Sequence, residues 1–266
     1  MDASDEWVTG NVVLRIGGIP LEMQMTVPAA PVKPQRMLPI FQQMTNEFVG
    51  ISIEAANVEG RSISCKAGCG ACCRQPVPVA EIEMYRIAEL VDSMPEPRQG
   101  KIRKRFAAAV EHFENLGWFA RMRECGELAK TEPQDVVMKQ VQAAVMDYFH
   151  EGVPCPFLEG ESCSIHESRP VACREYLVTS PAENCAEPTA ASIEKLDLAV
   201  KPSVTLRHIG TSGNFAETGL LTLIRSLELT ARFPDKFEEK TGEAWMADFF
   251  ERLTASNDTQ PGSESA

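Results

Sequence analysis

Eight of the nine cysteines in this 266-residue sequence lie in two groups whose surroundings suit metal binding. These eight are Cys65, Cys69, Cys72, Cys73, Cys155, Cys163, Cys173 and Cys185. They stand beside glycine, proline and charged residues, whereas cysteines that only fill a core lie on the apolar faces of helices. We therefore predict that all eight are metal ligands. The ninth, Cys125, stands alone on a segment rich in arginine and glutamate, and we interpret it as a bystander.

The spacing of the cysteines bears on which metal they would hold. Thiolates are soft ligands that select zinc, copper(I) or iron–sulfur clusters. Two zinc sites usually show as paired Cys-x2-Cys knuckles about 15–20 residues apart, and here only Cys69 and Cys72 have the knuckle spacing. The irregular gaps favour an iron–sulfur cluster, for example 4Fe–4S, and zinc is the alternative. Adjacent side chains on a helix diverge by about 100°, so the pair Cys72-Cys73 should serve two metals, clasp one polynuclear cluster or include a spare thiol.

Composition and charge indicate which partners and which cell compartment to expect for such a site. The formal net charge is −12 and the isoelectric point is about 4.9, which disfavours binding to nucleic acid. The longest apolar runs are about five residues, so we expect no membrane span. The acidic start of the sequence is not typical of a secretory signal. We expect a cytoplasmic protein with reduced thiols, acting with a protein or redox partner that the sequence does not identify.

The predicted fold class is mainly α, with an N-terminal β-hairpin and helical flanks around an irregular cysteine-rich metal-binding module. Alternating apolar residues predict the hairpin over 11–27, with Gly17-Gly18 as its turn. Apolar residues at three- and four-residue spacing predict helices, whose approximate bounds are 39–56, 79–94, 98–116, 134–149, 220–233 and 245–253. Glycine, proline and cysteine dominate 152–188, which we expect to be an irregular loop.

These elements predict four segments along the chain. Residues 1–34 form the hairpin and a proline-rich connector. Residues 35–190 form a cysteine-cluster domain into which a helical insertion, 79–150, is placed. Residues 191–255 supply C-terminal helices, and the polar residues 256–266 are expected to form a disordered tail.

Three stretches of the sequence together resemble a known family. They are Cys65-x3-Cys69-Gly70-Ala71-Cys72-Cys73, Cys155-Pro156-Phe157-Leu158, and Cys163-x-Ile165-x-Glu167-x-Arg169-Pro170-x-x-Cys173-Arg174-x-Tyr176. In this order they resemble the YkgJ-like cysteine-cluster family, which is described as chelating zinc or iron. The resemblance covers roughly residues 65–185. Some members are flagellin lysine N-methylases whose cysteines are thought to hold an iron–sulfur cluster, so the resemblance implies a metal centre more strongly than any one reaction.

Two function classes follow from the residues and a third from the resemblance. The first is an iron–sulfur protein that acts in electron transfer, redox sensing or cluster-dependent catalysis. The second is a zinc-stapled interaction module without redox chemistry. The third, which rests on the resemblance alone, is a cluster-dependent S-adenosylmethionine protein-lysine N-methyltransferase. The sequence points to no catalytic residue, so it does not decide whether the protein is an enzyme.

Three residues near Cys173 each have two interpretations. Arg169 and Arg174 would either neutralise an anionic cluster or hold a substrate carboxylate; in the alternative, Arg169 pairs with Glu167 and orders the loop. His166 stands where members of the resembled family commonly carry an aromatic residue. It is either a ligand of a mixed site or a residue that packs beside the ligands.

A basic stretch between the two cysteine groups contrasts with the acidic protein as a whole. Its cations are Arg98, Lys101, Arg103, Lys104 and Arg105. The stretch either docks an acidic partner or forms the solvated face of an amphipathic helix.

Overall fold

The computed structural model describes residues 6–16, 19–189, 191–213, 215 and 220–257. Across these ranges the chain is mainly α-helical, as predicted, with nine α-helices and two small antiparallel sheets. The helices are α1 (Leu38–Val58), α2 (Glu81–Asp92), α3 (Arg98–Asn115), α4 (Trp118–Leu128), α5 (Gln134–His150), α6 (Val171–Glu175), α7 (Pro202–Leu206), α8 (Ser226–Arg232) and α9 (Gly242–Asn257). None of these helices is long and apolar enough to cross a bilayer.

The N-terminal hairpin is longer than the sequence predicts. Strand β1 (Trp7–Ile16) pairs with β2 (Ile19–Pro28) in a register that places Trp7 opposite Pro28. The two-residue period of the strands turns Leu14, Met25 and Val27 into the core. The predicted turn, Gly17-Gly18, lies outside the described residues.

The hairpin and the connector after it are held by the last helix. The indole Nε1 of Trp245 on α9 donates to the carbonyl of Val32 at 2.8 Å, and Val32 also pairs with Lys240 in an isolated antiparallel bridge. Further along α9, the ring of Phe249 stacks on Phe41 of α1 with 4.7 Å between centroids. The two ends of the chain therefore share one apolar core.

A glycine at the start of α9 allows β2 to approach closely. A Cβ atom at Gly242 would lie 2.6 Å from Val27 Cβ and 2.7 Å from the carbonyl oxygen of Pro28. We expect Gly242→Ala to lower the free energy of unfolding by about 1–3 kcal/mol, because backbone and a buried side chain must move. The matched change Gly126→Ala on α4 meets no atom within 4 Å and should raise it by about 0.5–1 kcal/mol. Urea unfolding of both variants checks this, and equal effects would contradict it.

The predicted helical insertion contains α2 to α5, and aromatic contacts hold its second half together. Phe113 of α3 stacks on Tyr148 of α5 at 3.7 Å, and Trp118 at the start of α4 donates its Nε1–H to the carbonyl of Ala144 at 2.8 Å. Phe106 of α3 meets Phe157 edge to face at 5.4 Å. Since Phe157 follows Cys155 by two residues, this contact packs the segment that carries Cys155 against α3.

The structure corrects the C-terminal predictions. Over the range predicted as one helix, 220–233, a 3₁₀ turn at Leu223–Arg225 precedes the short α8. Helix α9 extends beyond the predicted 245–253 at both ends. Residues 256 and 257 therefore belong to a helix and not to the predicted tail, and residues 258–266 lie outside the described residues.

Candidate metal centre

Short irregular elements, and not the long helices, carry the eight predicted ligands. Cys65 and Cys69 lie on loop backbone, and Cys72 and Cys73 lie on a 3₁₀ turn, Ala71–Arg74. Of the second group, Cys155 precedes a small hairpin formed by β3 (Leu158–Glu159) and β4 (Ser162–Cys163), which carries Cys163. Cys173 lies on α6, and Cys185 lies on a 3₁₀ turn, Ala182–Ala186. The sequence predicts an irregular loop here without delimiting these elements.

Backbone hydrogen bonds bring the two groups of the sequence together. The amide of Cys155 donates to the carbonyl of Cys73 at 2.7 Å, so one cysteine of each group is fixed against the other. The amide of Gly68 donates to Ser162 Oγ at 3.1 Å. These bonds join the loop before the first 3₁₀ turn to the hairpin that carries Cys163.

An ion pair and a close backbone contact strengthen this junction. Arg74 donates to both carboxylate oxygens of Glu161, at 2.9 and 2.8 Å, and also to the carbonyl of Gly70 at 3.0 Å. Gly70 is buried under the hairpin. A Cβ atom there would lie 2.9 Å from Leu158 Cδ1 and 3.2 Å from Glu161 Cα, and it would collide with the Glu161 carboxylate.

We expect Gly70→Ala to push the two cysteine segments apart. The added methyl group displaces the Glu161 carboxylate from Arg74, and crowding of this kind costs about 1–3 kcal/mol of stability. The variant should unfold at lower urea concentration and lose its metal to a chelator faster than the parent protein. Gly50→Ala on α1, where an added Cβ meets no atom within 4 Å, is the control. Equal chelator sensitivity of the two variants would refute the role given to Gly70.

The last stretch of the domain places Cys65 and Cys185 together. The amide of Val178 donates to the Sγ atom of Cys65 at 3.4 Å, and the amide of Ser64 donates back to the carbonyl of Val178 at 3.0 Å. The 3₁₀ turn Ala182–Ala186 contacts the 3₁₀ turn Ala71–Arg74. Cys185 therefore lies beside the first cysteine group, although it follows the second group in the sequence.

Burial raises the pKa of most of these thiols. It is the largest cause of the shift in five of them, which are Cys65, Cys155, Cys163, Cys173 and Cys185. The pKa of Cys155 rises to about 12. For Cys72 the largest cause is a hydrogen bond with the Cys73 thiol, followed by burial. Without a cation beside them these side chains are therefore neutral thiols at neutral pH.

The thiols that interact electrostatically in the fold are not grouped as they are along the sequence. On one side, Cys65 and Cys69 interact with Cys185; on the other, Cys155 and Cys163 interact with Cys173. The interactions therefore define two triads of thiols, and Cys72 interacts with members of both.

Cys72 and Cys73 are adjacent on a 3₁₀ turn that begins at Ala71. Such a turn has three residues per turn, so successive side chains diverge by about 120°. That one ion does not easily take both thiols therefore stays a prediction.

Two arginines near the thiols lack carboxylate partners. Arg174 is only 5% exposed, and it donates to the side-chain oxygen of Asn46 at 2.9 Å and to the carbonyls of Arg169 and Glu167. No ion pair in the described ranges involves Arg169 or Arg174. The charge of Arg169 acts to lower the pKa of Cys163, although burial outweighs it. Positive charge that is not held in an ion pair therefore acts on Cys72 and Cys163.

The structure shows how Arg169 orders its loop. Its Nη1 donates to Nε2 of His166 at 2.5 Å and to the His166 carbonyl at 3.0 Å. The loop is thus tied through His166 and not through an ion pair with Glu167. Because a guanidinium can only donate, Nε2 of His166 is the acceptor of this hydrogen bond.

Glu83 on α2 supports the second cysteine group, and sequence reasoning overlooked it. Its carboxylate is 3% exposed and accepts from the amides of Val171 and Ala80, each at 2.8 Å. Val171 begins α6, the helix that carries Cys173. Burial raises the pKa of Glu83 to about 7. Its neighbours Ile82 and Met84 are apolar, but its amide partner Val171 lies 88 residues away, so no local signal marked its role.

The donor set fits a metal that prefers thiolate ligands. The eight cysteines are free and partly or fully buried, and the charge of Arg169 acts on Cys72 and Cys163, which suits an anionic metal–thiolate centre. In the described part of the chain, no three Cys, His, Asp or Glu side chains already stand as ligands of one ion. Cys125 is buried on α4 within the apolar side chains of that helix.

Comparison with known proteins agrees with this chemistry. Residues 64–191 match the CxxCxxCC family, described as "Putative zinc- or iron-chelating domain". No curated protein and no solved structure matches the chain. The matched range begins one residue before Cys65 and ends after Cys185, so it contains every predicted ligand. Over residues 64–191, which are just under half of the chain, this protein is similar to that family of cysteine domains.

Proposed function

We propose that the eight cysteines hold iron–sulfur clusters in two sets of four ligands. The observation that carries this proposal is that Cys72 interacts electrostatically with members of two triads of thiols, while the backbone of Cys73 is hydrogen-bonded to that of Cys155. Cys72 interacts with Cys65 and Cys185 in one triad and with Cys155, Cys163 and Cys173 in the other. Four thiolates are the usual ligand number of a 2Fe–2S or 4Fe–4S cluster. Each triad plus one member of the pair supplies that number.

The surroundings of the thiols support an anionic centre. A cluster with four thiolates carries negative charge, and the guanidinium of Arg174, buried without a carboxylate, provides a counter-charge next to Cys173. The amide of Val178, which donates to Cys65 Sγ, stabilises a thiolate in the same way. The charge of Arg169 likewise favours the thiolate form of Cys72 and Cys163, because it acts to lower the pKa of both.

The spacing of the cysteines supports iron–sulfur over zinc. Two structural zinc sites would be expected as paired Cys-x2-Cys knuckles, and the gaps around Cys155 and Cys163 do not follow that pattern. An iron–sulfur cluster supplies one-electron redox chemistry when it is bound, so the proposed role is electron transfer, redox sensing or cluster-dependent catalysis. Methyl transfer is suggested by the family resemblance alone and by no contact in the structure.

Spectroscopy of the anaerobically purified protein tests the proposal. We expect broad visible absorption that bleaches on reduction with dithionite, together with an electron paramagnetic resonance signal in the reduced protein. A colourless protein that holds zinc and is silent in both measurements would overturn the iron–sulfur proposal and establish the zinc-stapled alternative.

A further inference from the structure

A groove of about 480 Å³ lies between α3 and the hairpin that carries Cys163. Its α3 wall contains Arg98, Lys101 and Arg105, which lie on one face of that helix because they are three and four residues apart. The opposite wall is formed by the hairpin, with Leu158 and Glu159. A groove of this size is typical of sites for small molecules.

The lining of the groove carries excess positive charge. It has three cations and one carboxylate, on a protein whose formal net charge is −12. Lys101 is exposed, and its ammonium group makes no hydrogen bond or ion pair with any described residue. Arg98 donates to a backbone carbonyl, that of Ser164, at 3.3 Å. Outside the groove, Arg103 of the same helix is ion-paired with Asp92.

The third cation, Arg105, is bound by the segment that carries the second group of cysteines. Arg105 donates to the carbonyl of Pro156 at 3.1 Å and lies 3.6 Å from the carboxylate of Glu159. Pro156 is adjacent to Cys155, and Ser164, which Arg98 contacts, is adjacent to Cys163. The two arginines therefore fix the backbone on which two predicted ligands lie. The carboxylate of Glu159 compensates Arg105, which leaves Arg98 and Lys101 without a carboxylate partner among the residues that line the groove.

We propose that this groove is a binding site for a phosphate-type dianion, free or as the head group of a small organic ester. Two groups are available to the dianion. They are the Lys101 ammonium, which has no partner among the described residues, and the Arg98 guanidinium, whose contact there is one carbonyl. Phosphate oxygens accept from several such donors at once. Ile102 and Leu158 give the groove apolar surface on which the carbon part of an ester would pack. The site is separate from the thiols and does not depend on which metal they hold.

Calorimetric titration of the metal-loaded full chain at constant ionic strength tests this site, with inorganic phosphate and glycerol 3-phosphate as probes. We expect both probes to bind, and Lys101→Ala to weaken binding about tenfold, the effect of one charge-assisted hydrogen bond. Lys104→Ala is the matched control, because Lys104 is exposed on the same helix and lies outside the groove. The control should bind as the parent protein does.

The two probes separate the sources of the dianion. Equal affinity for both assigns the site to the oxyanion alone, and tighter binding of the ester assigns it to an organic phosphate; either result supports the groove. The proposal is overturned if neither probe binds, or if the two lysine variants lose affinity equally. The metal content of Lys101→Ala should equal that of the parent, so failure here is distinguishable from failure of the metal proposal.

Discussion

Replacing Cys72 with alanine is expected to remove at least half of the metal that the protein holds. Cys72 is the thiol that interacts with both triads, so its loss leaves one set with three ligands and weakens the contact between the sets. Losing even a supporting contact of a metal ligand costs about 10–100-fold in affinity, and loss of a ligand costs more. Metal analysis of the purified variant by mass spectrometry measures the effect.

The control for this variant is Cys125→Ala. Cys125 is 5% exposed on α4 and packs in the apolar core, so its replacement should leave the metal content unchanged and cost about 1 kcal/mol of stability. If Cys72→Ala keeps its full metal while Cys125→Ala loses it, the assignment of the ligands is wrong.

Replacing Glu83 with alanine is expected to lower the free energy of unfolding by about 2–5 kcal/mol. The change leaves two buried amides, those of Ala80 and Val171, without an acceptor, and each unsatisfied buried donor costs about 1–3 kcal/mol. Because Val171 begins the helix that carries Cys173, the visible spectrum of the bound metal should change as well. Urea unfolding and absorption spectroscopy of the same sample measure both effects.

Two further variants separate the role of Glu83 from a general effect of charge. Glu83→Gln keeps one carbonyl oxygen as an acceptor and should recover part of the stability. Glu89→Ala, on the same helix, removes only an exposed ion pair with Arg86, which is worth about 0.2–1 kcal/mol at most. Similar losses for Glu83→Ala and Glu89→Ala would show that the buried carboxylate does not support α6.

The long helices of this protein could be predicted from its sequence because their buried residues repeat regularly. In α3 the fully buried residues Ile102, Phe106 and Phe113 follow the three- and four-residue spacing of a helix. Helices α1, α2, α3 and α5 accordingly lie within two residues of their predicted bounds. Helix α4 has four buried residues among eleven, and α6 and α7 have five residues each, so their patterns are too weak or too short.

The candidate site could be predicted as a set of residues but not as an arrangement. Spacing along the chain groups Cys185 with Cys173, whereas the fold places Cys185 beside Cys65 and Cys69. That placement depends on the pairing of Val178 with the segment before Cys65, which is a long-range contact without a local sequence signal. Glu83 was overlooked for the same reason, since its amide partner lies 88 residues away.

The basic stretch on α3 divides into residues that line the groove and residues that face solvent elsewhere on the helix. Arg103 and Lys104 are exposed outside the groove, as expected for the solvated face of an amphipathic helix. Arg98, Lys101 and Arg105 instead line the groove beside the hairpin. The sequence alone could not separate the two sets, because the wall that faces α3 comes from residues about 55 positions later in the chain.

Analysis of iron, acid-labile sulfide and zinc in the anaerobically purified protein tests the central claim most directly. Two clusters, each held by four of the eight thiols, predict iron and sulfide in equal amounts, with several atoms of each per chain. Zinc should be present only in trace amounts. One or two zinc ions per chain without sulfide, or no bound metal at all, would contradict the proposal that these cysteines hold iron–sulfur clusters.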